Sequence, residues 1–245
     1  MTPEELQARL LYRDGLLLVL DKPAGLPVHA GPGGGPNLEA LFDALRFGLP
    51  RPPALAHRLD RDTSGCLALG RHPKALRKLA ALFREGRAEK TYWALVMGAP
   101  PEPEGRIELA LEKVSRRNGG WRMQPARDGG GQAAATAWRS LAGTGGLTWL
   151  ELKPETGRTH QIRVHCQALG CAILGDPLYA AVPPPPGLRL QLHARALALP
   201  LYPSRDAVRV EAPLPPDMVA TLRHQGFEIP AAALASSSQE AQKRR

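Results

Sequence analysis

Residues 57 to 65 read His57-Arg58-Leu59-Asp60-Arg61-Asp62-Thr63-Ser64-Gly65, gathering an imidazole, two guanidiniums, two carboxylates and two hydroxyls. Such a set can supply an acid–base pair, a nucleophile and a fork for anions. An aspartic protease would need a D-T-G loop twice, and only one imperfect copy is present. A Ser-His-Asp hydrolase would use Ser64, His57 and Asp60, but no G-x-S-x-G elbow is present, and sequence neighbours seldom form a triad. A metal site needs more clustered ligands than His57 and two irregularly spaced carboxylates. The plainest reading is a polar turn over 60–65, whose side chains cap backbone groups before the apolar run CLALG.

Short strands are the commonest elements available to position these groups. GLLLVLDK (15–22), CLALGR (66–71), KTYWALVMG (90–98), LTWLELKPE (147–155), LRLQLHARALALP (188–200) and AVRVEAPL (207–214) are apolar or alternating runs bounded by Gly, Pro or charge. Helical spacing appears three times. In HPKALRKLAALFREG, Leu76, Leu79, Ala80 and Phe83 form a stripe with Lys74, Arg77, Lys78 and Arg84 mostly outside it. In THQIRVHCQALG, Ile162, Cys166 and Leu169 make an apolar face, and Gly170 is placed to stop the helix. NLEALFDALRFG (37–48) reads as a helix capped by Asn37. Strands without regular βα alternation predict an α+β fold, not a doubly wound sheet. Residues 1–230 are expected to form one catalytic-sized domain, and the small, polar stretch 231–245 a disordered tail.

With 245 residues the chain can bury a substantial core, and its formal charge of +9 favours a polyanionic partner. Neither a signal-like h-region nor a bilayer-length apolar run is present, so no membrane is expected. Cys66, Cys166 and Cys171 form neither an even disulfide set nor a C-x-x-C pair, which predicts a reduced, cytoplasmic protein without a metal.

HRLDRDTSG resembles the HRLDxxTSG signature of the RluA-type pseudouridine synthases, which isomerise uridine in RNA to its C-linked form. Four further stretches are similar to that family's motifs in the same order. These are LDKPAGLPVH (20–29), KTYWALVMG (90–98), TGRTHQIRVHCQALGCAILGDPLY (156–179) and RLQLHARALALPLYP (189–203). The resemblance spans roughly residues 15 to 215, and five ordered motifs are far more specific than one.

The resemblance implies a pseudouridine synthase fold: a mainly antiparallel mixed sheet with flanking helices and loops around a central RNA-binding cleft. It also implies an isomerase that flips its target base, without cofactor or metal, acting as a monomer on ribosomal or transfer RNA. Carried over by motif, Asp60 is the catalytic aspartate, Tyr92 the active-site tyrosine and Arg163 the arginine that pairs with the aspartate. Arg58 corresponds to the arginine that takes the flipped uridine's place in the stack, with His57 and His160 as further substrate-binding candidates. Asp176 and Tyr179 belong to the motif in structural roles. Many relatives carry an S4-type domain before the catalytic one, and the KPxGL element at Lys22 leaves no room for it in this sequence. The alternative is an RNA-binding protein of the same fold that has lost catalysis. Basic residues at 71–90 and 113–127 are then expected to track phosphates.

Overall fold

The computed structural model describes residues 1–31, 34–115, 120–127 and 129–235. Its helices are α1 (Pro3–Ala8), α2 (Pro73–Arg84), α3 (Gln161–Ala168), α4 (Pro216–His224) and α5 (Ala231–Leu234). The first six strands are β1 (Leu10–Arg13), β2 (Leu17–Lys22), β3 (Ala54–Leu55), β4 (Ser64–Gly70), β5 (Glu89–Met97) and β6 (Glu104–Glu108). The second six are β7 (Leu111–Ser115), β8 (Trp121–Pro125), β9 (Ala135–Thr144), β10 (Leu147–Pro154), β11 (Leu192–Leu199) and β12 (Val208–Glu211). Strands outnumber helices and both parallel and antiparallel pairings occur, as an α+β reading requires.

The chain divides into two compact units. The first comprises 1–89, 193–216 and, of the described residues, 229–235. In it β1 and β2 run antiparallel, and β2 continues antiparallel onto β4. On its other side β4 meets β11 in parallel, with His193 opposite Ser64 and Ala194 opposite Gly65. Every residue of β4 is buried, which explains why CLALG is a continuous apolar run and not an alternating one. Its core joins Leu17 and Val19 of β2, Cys66 and Ala68 of β4, Leu79 and Leu82 of α2, and Leu197 and Leu199 of β11. The helix buries Ala75, Leu79 and Leu82, so its inward face is turned from the expected stripe toward Ala75 and Leu82. Lys74, Arg77, Lys78 and Arg84 are exposed as expected.

Two expectations for this unit are corrected. The segment from Asn37 is a 3-10 helix, Glu39–Leu45, although Asn37 Oδ1 does accept the Ala40 amide. Left-handed Phe47 and Gly48 end it. The tail expected from 231 instead begins as α5: Ala233 is fully buried, and its carbonyl accepts the Leu214 amide. The remainder of that expected tail, 236–245, lies outside the described residues.

The second unit comprises 90–192 and 217–228. β10 lies antiparallel between β5 and β9, and β6 extends β9. Alternation on β5 puts Tyr92, Ala94 and Val96 on one face, packed with Ile162 and Cys166 of α3 and with Leu150 and Leu152 of β10. Gly170 has φ +80 and follows the last turn of α3, which is the stop its position suggests. β7 and β8 form a separate hairpin, with Met123 buried beside Val164 of α3.

Candidate active site

The signature residues lie in the first unit, on the loop between β3 and β4. His57 Nε2 accepts the Ala68 amide of β4 at 3.0 Å, and its ring stacks on Phe83 of α2 at 4.3 Å. These contacts anchor the start of the loop. The chain then exposes Arg58, buries Leu59 and leaves Asp60 half-buried. A turn follows, closed by the Thr63 amide donating to the Asp60 carbonyl at 3.2 Å. Within it, Arg61 contacts Asp62 at 3.3 Å.

The far side of the turn is held by a lysine from the KPAGL element. Lys22 is fully buried, and its Nζ donates to the carbonyls of Pro23, Leu26 and Arg61 at 2.8, 2.8 and 2.9 Å. Three carbonyls match the three protons of an ammonium. Burial pushes Lys22 down to about 8, while Asp62, Asp60 and Asp21 pull it back up. The Arg61 carbonyl also accepts the Gly25 amide at 2.9 Å. Backbone and lysine together fix the turn that carries Asp60.

The last two residues of the signature are structural. Ser64 Oγ and His193 Nδ1 are 2.9 Å apart, both buried, and His193 Nε2 faces the Ala212 carbonyl at 3.3 Å. The carbonyl requires the proton on Nε2, so Nδ1 accepts from the serine hydroxyl. Burial lowers His193 to about 4 and keeps it neutral. A serine sealed this way cannot meet a substrate, which removes it as a hydrolase nucleophile. Gly65 lies so close to Ala194 that a Cβ there would fall 2.2 Å from its carbonyl oxygen. Two motifs about 130 positions apart in sequence are thus one contact.

The second unit holds Tyr92, His160 and Arg163. Tyr92 is half-buried on β5, opposite Leu152 of β10. Arg163 is buried on α3 and grips Asp176 bidentately, Nε to Oδ2 and Nη2 to Oδ1, each at 2.7 Å. The same Oδ1 accepts the amides of Leu178 and Tyr179, and the guanidinium lies over the Tyr179 ring at 4.9 Å. Tyr179 Oη in turn accepts the Met123 amide of β8 at 3.0 Å and bonds His160 Nδ1 at 2.9 Å. Asp176 and Tyr179 therefore orient Arg163, a larger role than the motif alone suggested.

His160 does not sit on the helix. It precedes α3 with φ +53 and stacks on Trp121 at 5.3 Å. Arg163 points into protein while Gln167 is exposed, so these three do not form the common helical face that their spacing predicts. The TGRTHQ segment is pinned by Gln161, which donates to the Ala135 carbonyl and accepts the Thr156 hydroxyl. Lys90, lowered by burial to about 8, reaches the Thr156 carbonyl at 2.8 Å. Lys90, counted in the basic run 71–90 expected to track phosphates, instead holds a backbone carbonyl, and Gln161 carries no spacing signal of its own.

In chemical terms, the first unit offers a carboxylate on a rigid turn beside an exposed arginine. The second offers a strand tyrosine and an arginine clamped by a carboxylate. Among the described residues no three His, Cys, Asp or Glu side chains gather as a metal ion would require, and the three cysteines are buried thiols. Nor is any helix long and apolar enough to cross a membrane.

Comparison with known proteins agrees with the motifs. Residues 16–168 match the family model described as RNA pseudouridylate synthase. An uncharacterised RNA pseudouridine synthase of Zymomonas mobilis is 43% identical over 211 residues, covering 86% of this chain and 95% of that protein. The ribosomal large subunit pseudouridine synthase D of the same organism is 35% identical, covering 72% of this chain and 57% of that protein. The solved structure of human RNA pseudouridylate synthase domain containing 4 superposes with a TM-score of 0.79 at 27% identity, covering 93% and 97% of the two chains.

Proposed function

Because the chain belongs to the RNA pseudouridylate synthase family, a family of isomerases, we propose that Asp60 is the carboxylate that carries its reaction. The observation that carries this reading is the clamp on the Asp60 turn: Lys22 and Gly25 hold one side, and His57 holds the other. A carboxylate held in one geometry can meet a developing charge without reorganisation. In the isomerisation the N1–C1′ bond of uridine breaks and a C5–C1′ bond forms. N1 gains a proton and C5 releases one. A carboxylate can attack or stabilise the anomeric carbon, or take the C5 proton.

Tyr92 is assigned to contact with the uracil and Arg163 to the electrostatics of the reacting carboxylate. Arg58, exposed beside Asp60, is assigned to the place left by the flipped base, where a planar guanidinium stacks well. His57, held by the Ala68 amide and the Phe83 ring, and His160, held by Tyr179 and Trp121, are assigned to positioning beside the substrate. The substrate is a uridine of ribosomal or transfer RNA, with the similarity to the large-subunit enzyme favouring ribosomal RNA. We place the activity in residues 1–235, with α5 part of the domain, in the cytoplasm, as a monomer without metal or cofactor.

The test is tritium release from RNA labelled at uridine C5, together with pseudouridine mapping in RNA from a deletion strain. Asp60→Asn should retain less than about a tenth of the activity while binding RNA within about threefold of wild type. An active Asp60→Asn protein would remove Asp60 as the catalyst. A wild-type protein that binds RNA but releases no tritium would make the chain an inactive RNA-binding member of the fold.

A further inference from the structure

The β7–β8 hairpin lies against α3 in the second unit, and a groove opens between β8 and the C-terminal part of the helix. Its volume is about 410 Å³, and Arg122, Gln124, Arg127 and Gln167 supply its polar lining. Among the described residues β8 pairs only with β7, and the consecutive residues 122–127 line the groove along its other edge, with Met123 buried against α3, Arg122 exposed and Gln124 half-buried. Gln167 and Ala168 are exposed on the last turn of the helix, and Gln167 is the one that lines the groove.

The lining is suited to one kind of ligand. Its ionisable side chains are both arginines, and both are exposed. Arg106, Arg139, Arg163 and Arg195 of this chain are each neutralised by a carboxylate. Among the described residues Arg122 and Arg127 make no ion pair. Gln124 donates its amide to Glu112 at 2.8 Å, which keeps that carboxylate occupied on β7. At the other end of β8, Trp121 is 39% exposed, stacks on His160 and carries Lys113 over its ring at 4.6 Å. The strand therefore runs along α3 from the residue that precedes the helix to its last turn, with positive charge at both ends.

We propose that β8 and α3 form a phosphate-binding groove for the strand of the RNA substrate, with Arg122 and Arg127 as its cationic contacts and Gln167 on the opposite wall. The inference rests on the reading that the substrate is RNA. Guanidinium forks match phosphate oxygens, and phosphate contacts set position and register without reading sequence. The groove therefore sets how firmly and in what register the strand is held, whatever its bases.

The experiment uses the full chain, a transcript that the wild-type protein modifies, and an unrelated RNA of equal length, titrated over a range of KCl. Arg122→Gln with Arg127→Gln should weaken binding of both RNAs about tenfold and flatten the log K against log salt slope by about 1.5, from two lost contacts at roughly 0.7 each. Gln167→Glu, which adds a carboxylate to the helix wall, should weaken both as well. The matched control is Arg209→Gln with Arg223→Gln, two exposed arginines outside the groove. The proposal is overturned if the groove variant keeps wild-type affinity and slope, or loses no more than the control, which would indicate net charge alone. Loss in the arginine variant with none in Gln167→Glu would place the contact away from α3 and also overturn the groove. Failure of the underlying reading looks different: the wild-type protein would then modify no transcript at all.

Discussion

Replacing Gly65 with alanine isolates the contact that joins the signature to β11. Gly65 has φ +104, and an added Cβ would lie 2.2, 2.8 and 2.9 Å from the carbonyl oxygen, carbonyl carbon and nitrogen of Ala194. All three are backbone atoms of a paired strand, so relief requires β4 and β11 to part. A side chain at positive φ costs about 1–2 kcal/mol by itself. Parting the strands also breaks the buried Ser64–His193 bond, worth about 1–3 kcal/mol when its groups are left unsatisfied. The total is about 2–5 kcal/mol. Gly98 is the internal reference: it has φ +76 and nothing within 4 Å of a built Cβ, so Gly98→Ala should cost only the backbone share of about 1–2 kcal/mol. The difference of about 1–3 kcal/mol, at about 2–4 °C per kcal/mol for a chain of this size, should place thermal unfolding of Gly65→Ala about 2–12 °C below that of Gly98→Ala. Equal midpoints for the two variants would refute the reasoning, because backbone conformation alone would then explain both.

Three other outcomes follow from the same contacts. Lys22→Met fills the space but leaves the Pro23, Leu26 and Arg61 carbonyls without their donor, so it should lose about 3 kcal/mol in denaturant unfolding and more than about tenfold in tritium release; wild-type activity in this variant would disprove the clamp on the Asp60 turn. Asp176→Asn keeps an oxygen for the Leu178 and Tyr179 amides but removes the charge that Arg163 grips, and should cost about 3 kcal/mol by the same measurement. With acid, the unfolded chain protonates residue 193 near 6.5 but the folded chain only near 4, so this group's stabilisation is present above 6.5 and lost as pH falls toward 4. The loss is on the order of 3 kcal/mol for a fully buried imidazole. Asp21, raised by burial to about 6, acts in the opposite sense over part of that range, so the comparison is with His193→Gln, whose stability should fall less steeply with acid. Parallel pH profiles for the two proteins would count against it.

Much of this architecture is legible from period and punctuation. Tyr92, Ala94 and Val96 share a face because a strand alternates, and Gly170 ends α3 because few other residues take its φ. What the sequence conceals is of two kinds. The β7–β8 hairpin carries Glu112, Lys113 and Arg122 at alternating exposed or half-buried sites, so its strands read as a basic run; their pairing was legible only from the partner strand. The second kind is contact across distance. The links of Ser64 to His193, of Lys22 to the Arg61 carbonyl, and of Tyr179 to Met123 join segments 129, 39 and 56 positions apart. No local pattern records them. For α5, composition misled: PAAAL is bland, yet Ala233 is small enough to be buried and its carbonyl meets the Leu214 amide.

The discontinuity of the first unit has a consequence for synthesis on the ribosome. Residues 90–192 of the second unit are contiguous, whereas β4 must wait for β11, whose His193 follows Ser64 by 129 residues. At about 5–20 residues per second, that interval is roughly 6–26 s. Throughout it the Ser64–Gly65 end of β4 lacks the neighbour that completes it, while β2 and β3 already flank the rest of the strand. A strand end left open for seconds is a template for wrong pairing. Nascent chains stalled before residue 193 should therefore be more aggregation-prone than the finished protein, although the turn that bears Asp60 already has its Lys22, Gly25 and His57 contacts.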